Sequence, residues 1–293
     1  MIGKMVKPDW EREGRKWPNR AASQFVRAGG MCWHVQILGS GPTLLLLHGA
    51  GAATHSWRDV APILARDFRV IAPDLPGHGF TETPAGEGLS LNGMARGVAA
   101  LLDVLGETPT VMVGHSAGAA IALRMQLDGR FSAARLISLN GAMQPFPGVS
   151  GHIFPAMAKL LFLNPLAIQL FALRADSARA ITGLIESTGS RIDRAGLEDY
   201  RRLLRTTGHI AGALGMMANW NLHPLVADLP KLASPLTLVA AENDRAVPPR
   251  VAGMVKALAP ASRLILLPGL GHLAHEEAPA RVAEIVLCET LDG

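Results

Sequence analysis

Apolar positions in this chain follow two rhythms. Short runs without a polar break, such as Leu44-Leu45-Leu46-Leu47 and Val111-Met112-Val113, alternate with longer stretches in which apolar side chains recur at helical spacing. An unbroken run closed by glycine or proline reads as a strand covered on both faces, and such strands spaced by helices build a mostly parallel sheet. The pattern predicts a hairpin of 24–26 and 31–38 turning at Ala28-Gly29-Gly30, then a strand over 44–47. A helix over 57–65, a strand over 69–72 and a helix over 91–105 follow, then a strand ending near His115, a helix opening at Ala117 and a strand over 135–139. After Gly141 the rhythm changes. Residues 143–224 are helical in character with no strand signal, and alternation resumes at Pro235. The expected architecture is one α/β core in two segments, 25–142 and 225–293, with a helical cap of 143–224 inserted between them and an arm of 1–24 ahead.

Four of the predicted strand ends carry chemistry. Gly114-His115-Ser116-Ala117-Gly118 puts a serine between glycines just where a strand turns into a helix. Such an elbow exposes the serine, and the small flanking residues let strand, turn and helix approach closely. A serine hydroxyl is a weak nucleophile at neutral pH and needs a base, itself oriented by an acid. Asp244 follows the run Leu236-Thr237-Leu238-Val239-Ala240-Ala241, and His272 follows Arg263-Leu264-Ile265-Leu266-Leu267 through Pro268-Gly269-Leu270-Gly271. The chain order serine, acid, histidine suits Ser116 as nucleophile, His272 as base and Asp244 as the group that orients it. The oxyanion of acyl transfer needs two backbone donors. Ala117, next to the serine, supplies one, and Ala50, in the His48-Gly49-Ala50-Gly51 turn after the 44–47 strand, supplies the other.

With these residues placed, the chain resembles the α/β-hydrolases from about Phe25 to its C-terminus. His48-Gly49, Trp57, Asp74-Leu75-Pro76-Gly77-His78-Gly79, the elbow, Asp244 and Gly271-His272 stand in the order that family uses. More narrowly, Trp17-Pro18-Asn19-Arg20, Trp33-His34-Val35-Gln36 and His55-Ser56-Trp57-Arg58-Asp59 resemble the BchO-type magnesium chelatase accessory proteins of bacteriochlorophyll biosynthesis. The resemblance implies an α/β-hydrolase fold, a place in porphyrin chemistry and a contact with magnesium chelatase.

The 293 residues, 49% of them hydrophobic, suffice for one large core. Cys32 and Cys288 lie near opposite ends in apolar surroundings and read as inert buried thiols of a reducing compartment, and no signal peptide or spanning segment is visible. A cytoplasmic location is expected. The net charge of +4 sits wholly in the first 30 residues, where Lys4, Lys7, Arg12, Arg15, Lys16, Arg20 and Arg27 face Asp9, Glu11 and Glu13. Such an arm is a solvated extension, a strap across the body, or an electrostatic contact with the inner membrane surface or with carboxylate-bearing substrates. Nucleic acid is disfavoured as a partner because no recognition motif accompanies the charge.

The cap holds the binding determinants in this reading. Phe154, Met157 and Phe162 belong to an apolar stretch too interrupted to cross a bilayer. With Met216, Trp220 and Trp57 they are the expected walls of an apolar pocket suited to a bulky flat ligand such as a porphyrin; the competing reading has them packing cap onto body, and Trp57 packing its own helix. His48 and His78 are expected to order their loops, His115 to pack at the elbow, and His275 to be the second choice of base. His152, His209 and His223 read as polar surface or hinge residues, or as ligands for the magnesium of a metallated porphyrin. No cofactor or protein-bound metal is expected, since HExxH, CxxC and carboxylate clusters are absent. The function expected is that of a serine hydrolase acting on a hydrophobic ester or related carbonyl compound in porphyrin biosynthesis. A noncatalytic porphyrin-binding accessory factor for the chelatase is the alternative, and a lyase using the same triad is a third.

Overall fold

The computed structural model describes residues 5–145 and 164–291. Eight strands form one sheet: β1 (Ser23–Ala28), β2 (Met31–Leu38), β3 (Thr43–Leu47), β4 (Arg69–Pro73), β5 (Val111–His115), β6 (Arg135–Leu139), β7 (Leu236–Ala241) and β8 (Arg263–Leu267). Their order is β1-β2-β4-β3-β5-β6-β7-β8. β2 runs antiparallel to both its neighbours, and every pairing from β4 onward is parallel. The unbroken apolar runs are explained by burial on both sides. Leu45, Leu47 and Met112 enter the core on one face, whereas Leu44, Leu46, Val111 and Val113 enter the core on the other.

Helices fill the crossovers, α1 (Val60–Leu64), α2 (Leu91–Leu105), α3 (Ala117–Leu127) and α9 (Arg250–Leu258), and two more follow β8, α10 (Ala274–Glu277) and α11 (Pro279–Leu291). α2 and β6 have the predicted bounds. Ser90 caps α2 by accepting from the Gly93 N–H, and Gly106, at φ 68°, closes it in a left-handed turn that a side chain would strain. The helix predicted over 57–65 is instead a tight turn, Thr54–Trp57, followed by the short α1. Pro62 is the reason: it has no N–H to donate, so the helix starts where Pro62 falls in the first turn. Between β6 and β7 the described residues contain helices and no strand: α4 (Pro165–Arg174), α5 (Ala178–Ser187), α6 (Arg194–Leu204), α7 (Thr207–Ala218) and α8 (His223–Asp228). Among the described residues no helix is long and apolar enough to cross a membrane. Both cysteines are free thiols, Cys32 half-buried and Cys288 exposed, so the burial expected of the two is partial at Cys32 and not found at Cys288.

The N-terminal arm is a strap. Trp17 is buried and donates from Nε1 to Thr54 Oγ1 at 2.9 Å, and Trp10 meets Phe25 and Phe80 edge to face while Arg20 lies 4.4 Å over its ring. Val6 exchanges hydrogen bonds with the start of α7, its N–H to Thr207 Oγ1 and its carbonyl from Gly208 N–H. Lys7 is carried inside with it. Burial pushes its ammonium pKa down to about 7, against the pull of Asp74 and Glu82. Between about pH 7 and the unfolded value of 10.5 the unfolded chain therefore holds the extra proton, and stability rises with pH. Lys7→Met is expected to remove that rise, which urea unfolding of both proteins at pH 7 and pH 9.5 measures; equal slopes would refute it.

Candidate active site

Ser116 stands at the end of β5 with φ 51° and ψ −117°, a conformation few non-glycine residues adopt, held at a cost of about 1–3 kcal/mol by the packing around it. The glycines make that packing feasible. A Cβ on Gly118 would collide with the Leu47 carbonyl, and one on Gly114 with the Ala119 backbone, so α3 lies directly against β3 and β5 only because both are bare. Gly49 matters likewise, since its Cβ would press on Ser116 Cβ and on the His115 ring. The turn after β3 thus abuts the serine, which brings Ala50 to the elbow. Among the described residues the Ala50 and Ala117 amides have no acceptor, as two donors kept for an oxyanion would.

His48 orders this turn as expected. Its Nδ1–H donates to the Gly49 carbonyl at 2.8 Å and its Nε2 accepts from Leu75 N–H at 2.9 Å, while burial lowers its pKa and keeps it neutral. His78 donates to Pro76 in the neighbouring loop. Asp74 anchors that loop to the strap side through His34 Nδ1 at 2.8 Å, Thr54 N–H at 2.7 Å and Phe80 N–H at 2.9 Å. Burial opposes its charge, but His34 and these donors prevail and hold the carboxyl below the usual carboxylate range.

Beyond β7, Asp244 Oδ1 accepts from the Ala246 and Val247 amides at 2.8 and 2.7 Å. Its Oδ2 faces His272 Nδ1 at 2.8 Å. The carboxylate is fully buried and the imidazole nearly so. The segment bearing His272 is fastened from several directions. Asn140, just past β6 at φ 48°, donates to the carbonyls of Gly271 and His272 at 3.0 and 2.8 Å and accepts from Ala241 N–H at 2.8 Å. His115 Nε2 donates to the same His272 carbonyl at 2.9 Å, and their rings lie 4.7 Å apart, which joins the elbow to the histidine loop. Ser190 Oγ accepts from Leu273 N–H at 2.8 Å.

A second polar assembly lies just past the histidine. Glu276 is fully buried and accepts from Ser56 Oγ at 2.5 Å, Tyr200 Oη at 2.8 Å and Arg58 Nη1 at 2.9 Å; Arg58 also donates to Asp193. Burial pushes the Glu276 carboxyl up, and Ser56, Arg58 and Tyr200 oppose the shift. His275 is drawn into this group, its Nε2 2.8 Å from Ser56 Oγ and its pKa pushed down to about 3 by burial, away from Asp244. Sequence reasoning missed Asn140, Ser190, Tyr200 and Glu276. Asn140 had a signal, because an Asn-Gly pair closing an apolar strand invites a left-handed turn.

A cavity of about 250 Å³ opens beside the elbow, lined by the Gly49–Ala52 turn, His115, His272 and Leu273 from below and by Phe171, Ile185, Leu204, Ile210 and Met217 among others from above. Three expected wall residues lie elsewhere. Trp57 is fully buried in the core on the opposite face of the sheet, among Leu44, Leu46 and Val60, with its ring 4.7 Å from His275. Met216 and Trp220 pack against the other core. The reason is helical phase: on α7, Ile210, Ala213, Leu214 and Met217 share the face toward the cavity, and Met216 is turned about 100° away. Phe154, Met157, Phe162 and His152 lie outside the described residues. His209 is no metal ligand, since its Nδ1 accepts from Gly79 N–H and its Nε2 donates to the Gly51 carbonyl. His223 is exposed.

Relatives and neighbours share this fold. The chain is 41% identical over 279 residues to the magnesium-chelatase 30 kDa subunit of Rhodobacter capsulatus, covering 94% of this chain and 97% of that protein. Among solved structures, the epoxide hydrolase CorEH superposes with a TM-score of 0.77 at 25% identity, covering 92% and 98% of the two chains. A serine hydrolase involved in carbazole degradation superposes at 0.75 and 22% identity, covering 92% and 99%. The family model of the alpha/beta hydrolase fold matches residues 42–279, which span the turn after β3, the elbow, Asp244 and His272. The chain belongs to the α/β-hydrolase fold family.

Proposed function

We propose that this chain is a serine hydrolase that transfers the acyl group of an uncharged, hydrophobic ester to water, and that it works in bacteriochlorophyll biosynthesis beside magnesium chelatase. The carrying observation is the His272–Asp244 pair at 2.8 Å, fastened through His115 to an elbow in which Ser116 is held in a strained turn. In this reading His272 Nε2 takes the proton as Ser116 Oγ attacks the carbonyl carbon. The Ala50 and Ala117 amides receive the oxyanion, and His272 returns the proton to the leaving alcohol. Water then repeats the course on the acyl-enzyme. Asp244 holds the Nδ1–H tautomer through its 2.8 Å contact with His272 Nδ1. The pathway assignment is supported by the 41% identity to a protein named as a chelatase subunit.

That name also favours a second reading, in which the chain binds a porphyrin and assists the chelatase without chemistry. Treatment with a fluorophosphonate and then peptide mass spectrometry separates the two. A stoichiometric adduct on Ser116 that Ser116→Ala and His272→Ala abolish is expected; folded protein that gives no adduct would overturn the hydrolase reading. In a pigment-forming bacterium lacking its own copy, failure of Ser116→Ala to restore bacteriochlorophyll is expected, and full restoration would favour the accessory role.

A further inference from the structure

Given the hydrolase reading, on which this inference rests, the cavity beside the elbow narrows the substrate. Among the described residues, no lysine, arginine, aspartate or glutamate lines it. Two of its polar side chains are already spent, the Tyr200 hydroxyl on Glu276 and the Thr188 hydroxyl on the Ile185 carbonyl. Polar groups that remain, namely His115, His272 and the backbone of the Gly49–Gly51 turn, all lie at the nucleophile's end. The rest of the wall is hydrocarbon from Phe171, Leu184, Leu204, Ile210, Leu214 and Met217. A charged or strongly hydrogen-bonding group placed there would lose its hydration and meet no partner.

Size sets a second limit. The space of about 250 Å³ lies below the range of ordinary small-molecule sites and equals the liquid volume of roughly eight waters, a methylene taking similar room. We infer that the cavity receives one uncharged aliphatic arm of the substrate, up to roughly eight carbons long, and leaves any larger part outside. A four-ring macrocycle does not enter such a space. In this inference a pigment precursor offers the site an ester on a side chain, not its ring.

The test is the rate of covalent labelling of Ser116 by a series of P-alkyl fluorophosphonates from methyl to dodecyl, because labelling reads the cavity without needing turnover. The rate is expected to rise about fourfold per added methylene, the worth of each buried CH₂, to pass a maximum between butyl and octyl and then to fall. A chain of the same length ending in a carboxylate is expected to react at least about tenfold more slowly. Ala213→Ile, which fills the wall, moves the maximum to a shorter chain, and Met217→Ala, which empties it, moves the maximum to a longer one. A rate indifferent to length, or climbing without a break to dodecyl, overturns the inference, as does equal reactivity of the carboxylated chain. Labelling of Ser116 without length dependence sinks this inference alone, whereas no labelling at any length sinks the hydrolase reading with it.

Discussion

Asp244→Asn is expected to lower kcat toward an activated ester by about 10⁴-fold while leaving the fold and its stability nearly unchanged. The expected size comes from the way the carboxylate is held. Its Oδ1 accepts from two backbone amides, Ala246 and Val247, and a carboxamide in the same place keeps its oxygen there because only oxygen can accept. The amide nitrogen is then forced toward His272 Nδ1, where it donates. His272 must accept at Nδ1 and carry its proton on Nε2, the nitrogen that has to receive the proton of Ser116. The imidazole stays in position in the wrong tautomer. Ser116→Ala and His272→Ala should each cost at least as much, and the Ser116→Ala/His272→Ala double variant should be no worse than either alone, since the two act as one unit. Steady-state rates with each variant, checked against thermal unfolding, measure this. Additive losses in the double variant, or an Asp244→Asn enzyme within tenfold of the parent, would show that the pair does not work as a relay.

How much of this the sequence makes legible differs between levels. Strands are readable because a doubly covered sheet demands unbroken apolar runs, and Leu44–Leu47 admits no other comfortable place. Ser116, Asp244 and His272 are readable because each must stand just past a strand end, so the sequence marks them by a change of rhythm and then glycine, proline or a polar turn. Wall residues of the cavity are not readable in the same way. Met216 and Met217 have the same chemistry and adjoin each other, and which one faces the cavity depends on the rotation of α7 against the sheet, a tertiary fact. Trp57 has two readings from sequence, and the structure bears out the packing one: the indole lies with Val60, Ala61 and Leu64 of α1 and not on the cavity. The Glu276 assembly is invisible for a related reason: Ser56, Arg58, Tyr200 and Glu276 come from three separate stretches of chain, and none has a local pattern that singles it out.

That assembly carries the largest expected effect on stability. Arg58→Ala is expected to cost about 3–5 kcal/mol, because it leaves the Glu276 carboxylate fully buried with only the Ser56 and Tyr200 hydroxyls to satisfy it. Replacing both partners by apolar side chains of similar volume, Arg58→Met with Glu276→Leu, is expected to recover most of that loss, since no charge is then stranded. The pH dependence has a definite sign. Burial raises the Glu276 carboxyl in the folded protein above its unfolded value, so ionisation is disfavoured in the native state and the group's contribution falls as pH rises through the folded value. Without Arg58 the upward shift is larger, so the deficit of Arg58→Ala should shrink as pH is lowered toward 5 and grow toward 8. Urea unfolding at both values reads it, and a deficit independent of pH would mean that the loss is one of packing. The same variant should also slow turnover, because Tyr200 lines the cavity and Glu276 stands four residues past His272, so the assembly ties α6, the Thr54–Trp57 turn and the histidine loop to one buried charge.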